Sequence, residues 1–72
     1  MSVDTRVRFG RRVRVLRTNL GMSQQMLADH IDINRVNLSR IENGKTMPSL
    51  GTICDLAKAL RVTPSELLDG VS

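Results

Sequence analysis

Apolar residues recur along the first third of the chain at intervals of three and four positions, the spacing of one helical face. They are Phe9, Val13, Leu16 and Leu20. Six arginines occupy the other faces of the same segment. This pattern predicts a helix from about Asp4 or Thr5 to Leu20. Asp4 or Thr5 is suited to cap its start, and Gly21 stands where a C-terminal cap is expected.

Two shorter helices joined by a tight turn are predicted next. Ser23 is a typical N-cap residue for the first of them. Its inward stripe is Leu27, Ala28 and Ile31. Asp32 and Ile33 form the turn. Asn34 caps the third helix, which ends at Asn43-Gly44, a pair that favours helix termination.

The last third of the chain predicts two further helices. Ser49 caps the fourth helix after a loop over Lys45–Pro48. Its apolar side is Leu50, Ile53, Leu56, Ala57 and Leu60. The segment Thr63–Glu66 is a capping box with proline at the first helical position. It opens a short fifth helix that stops at Gly70 and contains Leu67 and Leu68.

The pattern as a whole predicts an all-α fold, because no useful length of β-branched alternation occurs. Seventy-two residues suffice for one domain, residues 1–72, built as a compact five-helix bundle with short connections. A domain of this size buries only about 60% of the surface that its unfolded chain exposes. The lone cysteine, Cys54, forms no internal disulfide, so we expect stability to depend on helix packing or on dimerisation.

Several classes of function are disfavoured by what the sequence lacks. It has no apolar run of about 18 residues and no signal-peptide pattern, so we expect a cytoplasmic protein without membrane contact. We expect no enzyme, cofactor or small-molecule ligand, because the chain has no nucleophile–base pair, glycine-rich phosphate loop or paired catalytic carboxylates. His30 has no partner at metal-ligand spacing and is interpreted as a surface histidine. Cys54 is interpreted as a small apolar packing residue, with a redox switch as the alternative.

The charge balance points to an anionic partner. The net charge is +4, and nine of the eleven basic residues are arginine, which suits bidentate contact with phosphate and guanine. Charge alone leaves the alternative of a merely soluble basic protein equally open. The single aromatic residue, Phe9, argues against binding of single strands by stacked aromatic side chains.

The third helix separates an apolar direction from a polar one. Successive helical residues turn by about 100°, which places Leu38 and Ile41 on the core side. The residues on the opposite side are Val36, Asn43, Ser39 and Arg40, with Arg35 on the flank near the first turn. Val36 is β-branched and apolar yet points outward, where it can pack on a thymine methyl while arginines reach guanine edges. The angles alone leave an ordinary solvated face as the alternative.

The chain resembles the lambda-repressor-like helix-turn-helix family, also called the Cro or Xre type. The similarity covers about Phe9 to Leu68, and its helix-turn-helix spans residues 23–43. The motifs that carry it are Ser23-Gln24, Leu27-Ala28, Asn34-Arg35, Ile41 to Lys45, Pro48-Ser49-Leu50, Leu56 to Leu60, Val62, Glu66 and Leu67-Leu68. No single motif is specific, but the spacing holds through all five helices. The resemblance implies a compact five-helix DNA-binding domain.

The resemblance also implies roles for individual residues. Base edges would be contacted by Arg35, Val36, Ser39 and Arg40. Phosphates would be contacted by Gln24, Asn43, Lys45 and Thr46, with Asn37 and Arg17 as further candidates. Arg17 and Glu42 match a family ion pair between the first and third helices. Because Glu42 lies in the last turn, where the helix dipole disfavours an anion, a cation there would stabilise it; the alternative is an exposed pair worth under about 1 kcal/mol.

Two positions depart from the family pattern. Relatives usually carry glycine where this chain has Asp32, in a turn that often needs a left-handed backbone. Aspartate tolerates that backbone better than most residues, at a cost of roughly 1 kcal/mol. Val36 replaces a residue that is often polar in relatives, which suggests a distinct base preference.

We therefore expect a transcriptional regulator that binds a pseudo-palindromic operator in double-stranded DNA as a homodimer, through its third helix in the major groove. A single recognition helix makes too few base contacts to select one site in a genome. Apolar residues within 53–71 are predicted to form the dimer contact: Ile53, Leu60, Val62, Leu67, Leu68 and Val71.

A stand-alone domain of this size resembles restriction–modification controller proteins, and a prophage or general repressor fits as well. An antitoxin is the runner-up, and a protein-interaction module is a third class.

Overall fold

The computed structural model describes the backbone of residues 3–71 and the side chains of residues 5–71. Within these residues five helices follow one another without strands: α1 Val3–Asn19, α2 Gln24–His30, α3 Arg35–Glu42, α4 Leu50–Ala59 and α5 Pro64–Leu67. The predicted all-α, five-helix fold is therefore confirmed. The Cα radius of gyration, 10.7 Å, is close to the ~11 Å expected for a compact chain of this length.

Four of the helices begin at the caps that the sequence predicts. The side chains of Ser23, Asn34 and Ser49 each accept a hydrogen bond from the backbone N–H three residues later. At α5 the Thr63 hydroxyl accepts from the backbone N–H of Glu66, and the Glu66 carboxylate accepts from the backbone N–H of Thr63. These bonds satisfy donors that the first helical turn leaves without partners.

The limits of α1 differ from the prediction at both ends. The helix already includes Asp4 and Thr5, so neither residue is its N-cap; the side chain of Asp4 lies outside the described residues. At the other end α1 stops at Asn19, and Leu20 lies in the following turn with 40% of its surface exposed. Leu20 therefore does not extend the core stripe as predicted, because the helix ends before this position.

The core takes side chains from every helix. The largest fully buried ones are Phe9, Val13, Leu27, Leu38, Leu56 and Leu67. Two expectations about apolar residues are wrong. Leu50 is 73% exposed because it is the first residue of α4 and projects beyond the core. Cys54 is exposed rather than packed as a small apolar residue.

The residues expected to form a dimer contact are mostly core residues of the single chain. Ile53, Leu60, Leu67 and Val71 are each at most 7% exposed, and Val62 is partly buried against them. Only Leu68 of the predicted set is exposed, at 37%. The prediction that these residues supply surplus apolar surface is therefore wrong. A small five-helix domain has little interior, and α4 and the C-terminal turn need these side chains to close it.

Two turns hold a non-glycine residue in the left-handed region. Asp32, between α2 and α3, has φ 59°. A left-handed backbone was expected here because relatives usually carry glycine at this position. Arg61, after α4, has φ 62° and was not anticipated. The turn after α3 uses Gly44, with φ 73°. A Cβ atom at Gly44 would also lie 2.8 Å from the Val7 side chain, so both backbone angle and space require glycine there.

Candidate nucleic-acid interface

Helix α3 is held against α1 at a point of close backbone contact. A Cβ atom added to Gly10 would lie 2.6 Å from the carbonyl oxygen of Glu42 and still closer to that of Ile41. No side chain fits in such a gap, so glycine lets α1 touch the last turn of α3. This contact fixes where α3 lies on the domain.

The two faces of α3 differ sharply in exposure. Leu38, Ile41 and Glu42 face inward and are 0%, 5% and 3% exposed. Val36 on the other side is 60% exposed. Arg35, Asn37, Arg40 and Asn43 are also exposed, and Ser39 is half-buried. The four residues predicted to contact bases therefore lie on the same outward side of α3 as Asn43, a predicted phosphate ligand. We call this surface the outward face of α3: Arg35, Val36, Ser39, Arg40 and Asn43.

A buried ion pair joins α1 to the end of α3. The Arg17 Nε donates to Glu42 Oε2 at 2.7 Å, and a terminal nitrogen donates to Oε1 at 3.0 Å. The other terminal nitrogen donates to the Met22 carbonyl at 2.7 Å. The structure thus brings Arg17 and Glu42 together in a bidentate, buried pair rather than the exposed alternative. The phosphate contact expected of Arg17 stays a prediction, and only 11% of its side chain is accessible for it.

The protonation of Glu42 follows from its surroundings. Burial by itself raises the pKa of this carboxyl, because desolvation disfavours the charged form. Hydrogen bonds from Arg17 and Gln24, together with the charges of Arg17 and Arg14, outweigh burial. They hold the pKa of Glu42 below its ordinary value of 4.5. The carboxylate is therefore charged at neutral pH and compensates the buried guanidinium.

Gln24 occupies a different position from the one expected of a free phosphate ligand. Its side-chain amide donates to Glu42 Oε1 at 3.0 Å, so it belongs to the same network as the ion pair. The residue is half-buried at the first position of α2. This contact depends on how α2 packs against α3, so the local sequence pattern does not predict it. The phosphate contact of Gln24 remains a prediction.

Arg14 is a site residue that the sequence analysis missed. Its guanidinium donates to Asn43 Oδ1 at 2.8 Å and lies 3.6 Å from Glu42 Oε1. The Asn43 amide nitrogen in turn donates to Ser39 Oγ at 3.3 Å. A signal for it was present in the sequence: Gly10, Arg14 and Arg17 recur at intervals of four and three, which places them on one face of α1.

Two of the remaining predicted phosphate ligands, Lys45 and Thr46, follow α3 in the chain. Lys45 is exposed, and Thr46 is half-buried in the loop after the helix. Thr46 lines a shallow surface depression together with Asn37 and Arg40. Arginine, amide and hydroxyl groups thus meet beside α3, where they can donate to phosphate oxygens.

Other kinds of site find no support in the described residues. No three His, Cys, Asp or Glu side chains of that part of the chain gather as metal ligands do. None of the described helices is long and apolar enough to cross a membrane. His30 is exposed at the end of α2, in agreement with its interpretation as a surface residue.

Comparisons with known proteins agree with this geometry. The helix-turn-helix family model matches residues 13–67. Control protein C.BamHI of Bacillus amyloliquefaciens is 41% identical over 70 residues, covering 96% of this chain and 86% of that protein. The crystal structure of the restriction-modification controller protein C.AhdI from Aeromonas hydrophila superposes with a TM-score of 0.81 at 43% identity, covering 85% of this chain and 92% of that one.

A third relative is described in complex with an operator. The P22 c2 repressor with a synthetic operator has a TM-score of 0.80 at 32% identity, covering 86% of this chain and 94% of that one. The fold, the helix-turn-helix motif and the family resemblance predicted from the sequence are thereby confirmed. This chain belongs to the helix-turn-helix family, whose members are DNA-binding transcriptional regulators and not enzymes.

Proposed function

We propose that the protein binds a specific operator in double-stranded DNA by placing α3 in the major groove. The observation that carries this proposal is the contrast between the two faces of α3. The helix is anchored through Leu38, Ile41 and Glu42, while an apolar Val36 and two arginines point into solvent. Core packing does not explain why Val36 and two arginines are exposed together on this face, whereas base edges in the major groove offer a partner to each of these side chains.

Base readout would come from the first four residues of the outward face. Arg35 and Arg40 are suited to guanine, whose N7 and O6 accept a bidentate pair, and Val36 is suited to a thymine methyl. Ser39 supplies a hydroxyl between them. The proposed base-contacting set is Arg35, Val36, Ser39 and Arg40.

Phosphate contacts would fix the register of α3 on the duplex. The proposed set is Gln24, Asn37, Asn43, Lys45 and Thr46.

Replacing exposed Lys45 with alanine should weaken binding to all sequences alike and reduce the slope of log affinity against log salt by about one. A loss confined to one sequence would instead assign Lys45 to base readout. Titrations of a specific and a random duplex at several salt concentrations distinguish these results.

We further propose that the protein acts as a homodimer on a pseudo-palindromic site. Two recognition helices about 34 Å apart would meet successive major grooves on one side of the duplex. The doubled contact area supplies the specificity ratio that one helix lacks. Of the apolar residues first predicted at the contact, Leu68 is exposed and Val62 is partly so, and these two remain candidates.

Sedimentation at micromolar concentration, with and without DNA, tests the dimer. We expect a dimer for the wild type and a monomer for Leu68→Asp. Leu50→Asp is a matched control, since Leu50 is also an exposed leucine but lies at the start of α4. Only monomer in the wild type under both conditions would contradict the dimer, and equal effects of the two variants would contradict the role of Leu68.

The role proposed within the cell is that of a restriction–modification controller. C.BamHI and C.AhdI are named as controllers, and this chain matches most of the length of each. We propose that the controlled genes include its own, so the test is binding to the DNA upstream of the gene for this protein, compared with a shuffled duplex of the same composition. Preference for the upstream duplex is expected. Equal affinity for both would contradict autoregulation and leave a repressor of other genes.

A further inference from the structure

We propose that Arg14, a residue of the scaffold helix α1, sets the base preference of the recognition helix by fixing Ser39 as a hydrogen-bond donor. The inference deepens the proposed function and rests on it, because it requires α3 to lie in the major groove. It is carried by two consecutive hydrogen bonds that run from α1 onto the outward face of α3. Arg14 is thus a positioning residue that acts through Asn43.

The first hydrogen bond fixes the orientation of the Asn43 amide. A guanidinium has only donors, so the atom that faces Arg14 must be the amide oxygen. The distance from the Arg14 terminal nitrogen to Asn43 Oδ1 is 2.8 Å. A flipped amide would set two donor groups against each other at that distance. The amide nitrogen must therefore point the other way.

The second hydrogen bond fixes the role of the Ser39 hydroxyl. The Asn43 Nδ2 lies 3.3 Å from Ser39 Oγ, and an amide nitrogen can only donate. The serine oxygen is therefore the acceptor, and its hydrogen cannot point toward Asn43. A helical serine often donates to the backbone carbonyl one turn earlier. Among the described residues, however, no group accepts a hydrogen bond from this hydroxyl.

The available hydrogen of Ser39 determines which base edge it suits. In the major groove guanine presents the acceptors N7 and O6, and thymine presents O4, whereas cytosine presents only a donor. A hydroxyl that is held as a donor suits guanine or thymine and opposes cytosine. Without Arg14 the amide can flip, the hydroxyl can donate to Asn43 Oδ1, and this discrimination is lost.

The expected effect is the contribution of one neutral hydrogen bond. We expect Arg14→Ala to reduce discrimination against cytosine, at the base position read by Ser39, by about three- to tenfold. Arg11→Ala is the matched control, because it removes an exposed arginine from the same helix and should leave the base preference unchanged. Arg14→Lys retains a donor-only side chain and should restore much of the preference.

The experiment measures equilibrium affinity for operators that carry each base at every position of a selected site. The position read by Ser39 is the one at which Ser39→Ala loses its preference. In the Ser39→Ala background, Arg14→Ala should change no further base preference, because the effect passes through the hydroxyl. Asn43→Asp should lower the affinity for every duplex, because Asn43 is also a proposed phosphate ligand. Its relative preference should in addition shift toward adenine or cytosine, since a carboxylate has no hydrogen to donate and the hydroxyl must donate to it.

Three results would overturn the inference while leaving the proposed function intact. One is a uniform loss of affinity for Arg14→Ala with a smaller salt slope, which indicates a direct phosphate contact. Another is a change of preference by Arg14→Ala that persists in the Ser39→Ala background. The third is the absence of any base position that responds to Ser39→Ala. If the wild type selects no site at all, the proposed function itself fails. Should Arg14→Ala not fold, Asn43→Asp and Arg14→Lys decide the question.

Discussion

The inward and outward faces of α3 obey different physical requirements although they share eight residues of backbone. The inward face is filled by Leu38 and Ile41 and ends in Glu42, whose charge is matched by Arg17. The outward face is exposed and combines arginine with Val36. Core packing and the buried ion pair account for every group on the inward face, but not for the exposed arginines and Val36 on the outward face. Residues for stability and residues proposed for recognition thus lie on opposite sides of one helix.

The separation leads to a clear expectation for mutants. Changes on the inward face should lower the free energy of unfolding, and changes on the outward face should lower DNA affinity at unchanged stability. A variant that crosses this division identifies a residue with both roles.

The largest effect is expected for Glu42→Ala, which leaves the Arg17 guanidinium charged and unpaired in a buried position. Loss of one partner of a buried pair costs about 3–5 kcal/mol, a large part of the stability of a small domain. Chemical denaturation followed by circular dichroism measures it. Glu66→Ala, at the exposed capping box of α5, is the control and should cost much less. Equal losses for the two variants would contradict the special role of the buried pair.

A smaller loss is expected for Gly10→Ala. The added Cβ would meet the carbonyl oxygens of Ile41 and Glu42, and overpacking of this kind costs about 1–3 kcal/mol. Gly51→Ala is the control: its Cβ would meet only Ser49 Oγ at 3.9 Å, and removal of a helical glycine there should stabilise by about 0.5–1 kcal/mol. Unchanged stability for Gly10→Ala would show that α1 and α3 do not touch as described.

On the outward face, Arg40→Ala should cost about 1–3 kcal/mol in binding to a specific site and relax one base position. Its unfolding free energy should stay within about 0.5 kcal/mol of the wild type, because the side chain is exposed. Lys58→Ala removes one exposed charge from α4 and is the control. Fluorescence anisotropy with labelled duplexes gives the affinities. Equal losses of affinity for the two variants would show that Arg40 contributes only through the net charge of the protein and not through a base contact.

The mildest perturbation is a change of pH. Because the pKa of Glu42 is lowered in the folded protein, the unfolded state binds protons first as the pH falls. The contribution of this carboxylate is therefore complete above the ordinary value of 4.5 and is lost as the pH falls through the lowered pKa. Urea unfolding at a series of pH values measures the slope. In Glu42→Gln the slope should be shallower, and an identical slope would assign the dependence to other carboxyl groups.

The sequence predicts local features of this domain better than long-range ones. The caps at Ser23, Asn34 and Ser49 depend on atoms within one turn, so residue type and position were sufficient. Asp32 was expected in the left-handed region because of the family resemblance, since relatives usually carry glycine at this position, and the structure places it there. Glycines and capping groups thus determine where helices begin and end.

Features that depend on packing between helices were predicted less well. Periodicity shows which side of a helix is apolar but not whether its own chain or a second copy covers that side. The residues Ile53, Leu60, Leu67 and Val71 were therefore mistaken for a dimer surface. The contact of Arg14 with Asn43 likewise depends on the crossing of α1 and α3 at Gly10. The spacing places Arg14 on the same face as Gly10 and Arg17 but does not specify what that face meets.

Selection from a pool of random duplexes with the purified protein shows whether α3 reads a DNA sequence. We expect a palindromic consensus whose half-sites are one helical turn apart, with relaxed preference at one position per half-site when Arg40→Ala is used instead. If the wild type, shown to be folded by cooperative unfolding, enriches no sequence, α3 does not read DNA and the account is contradicted.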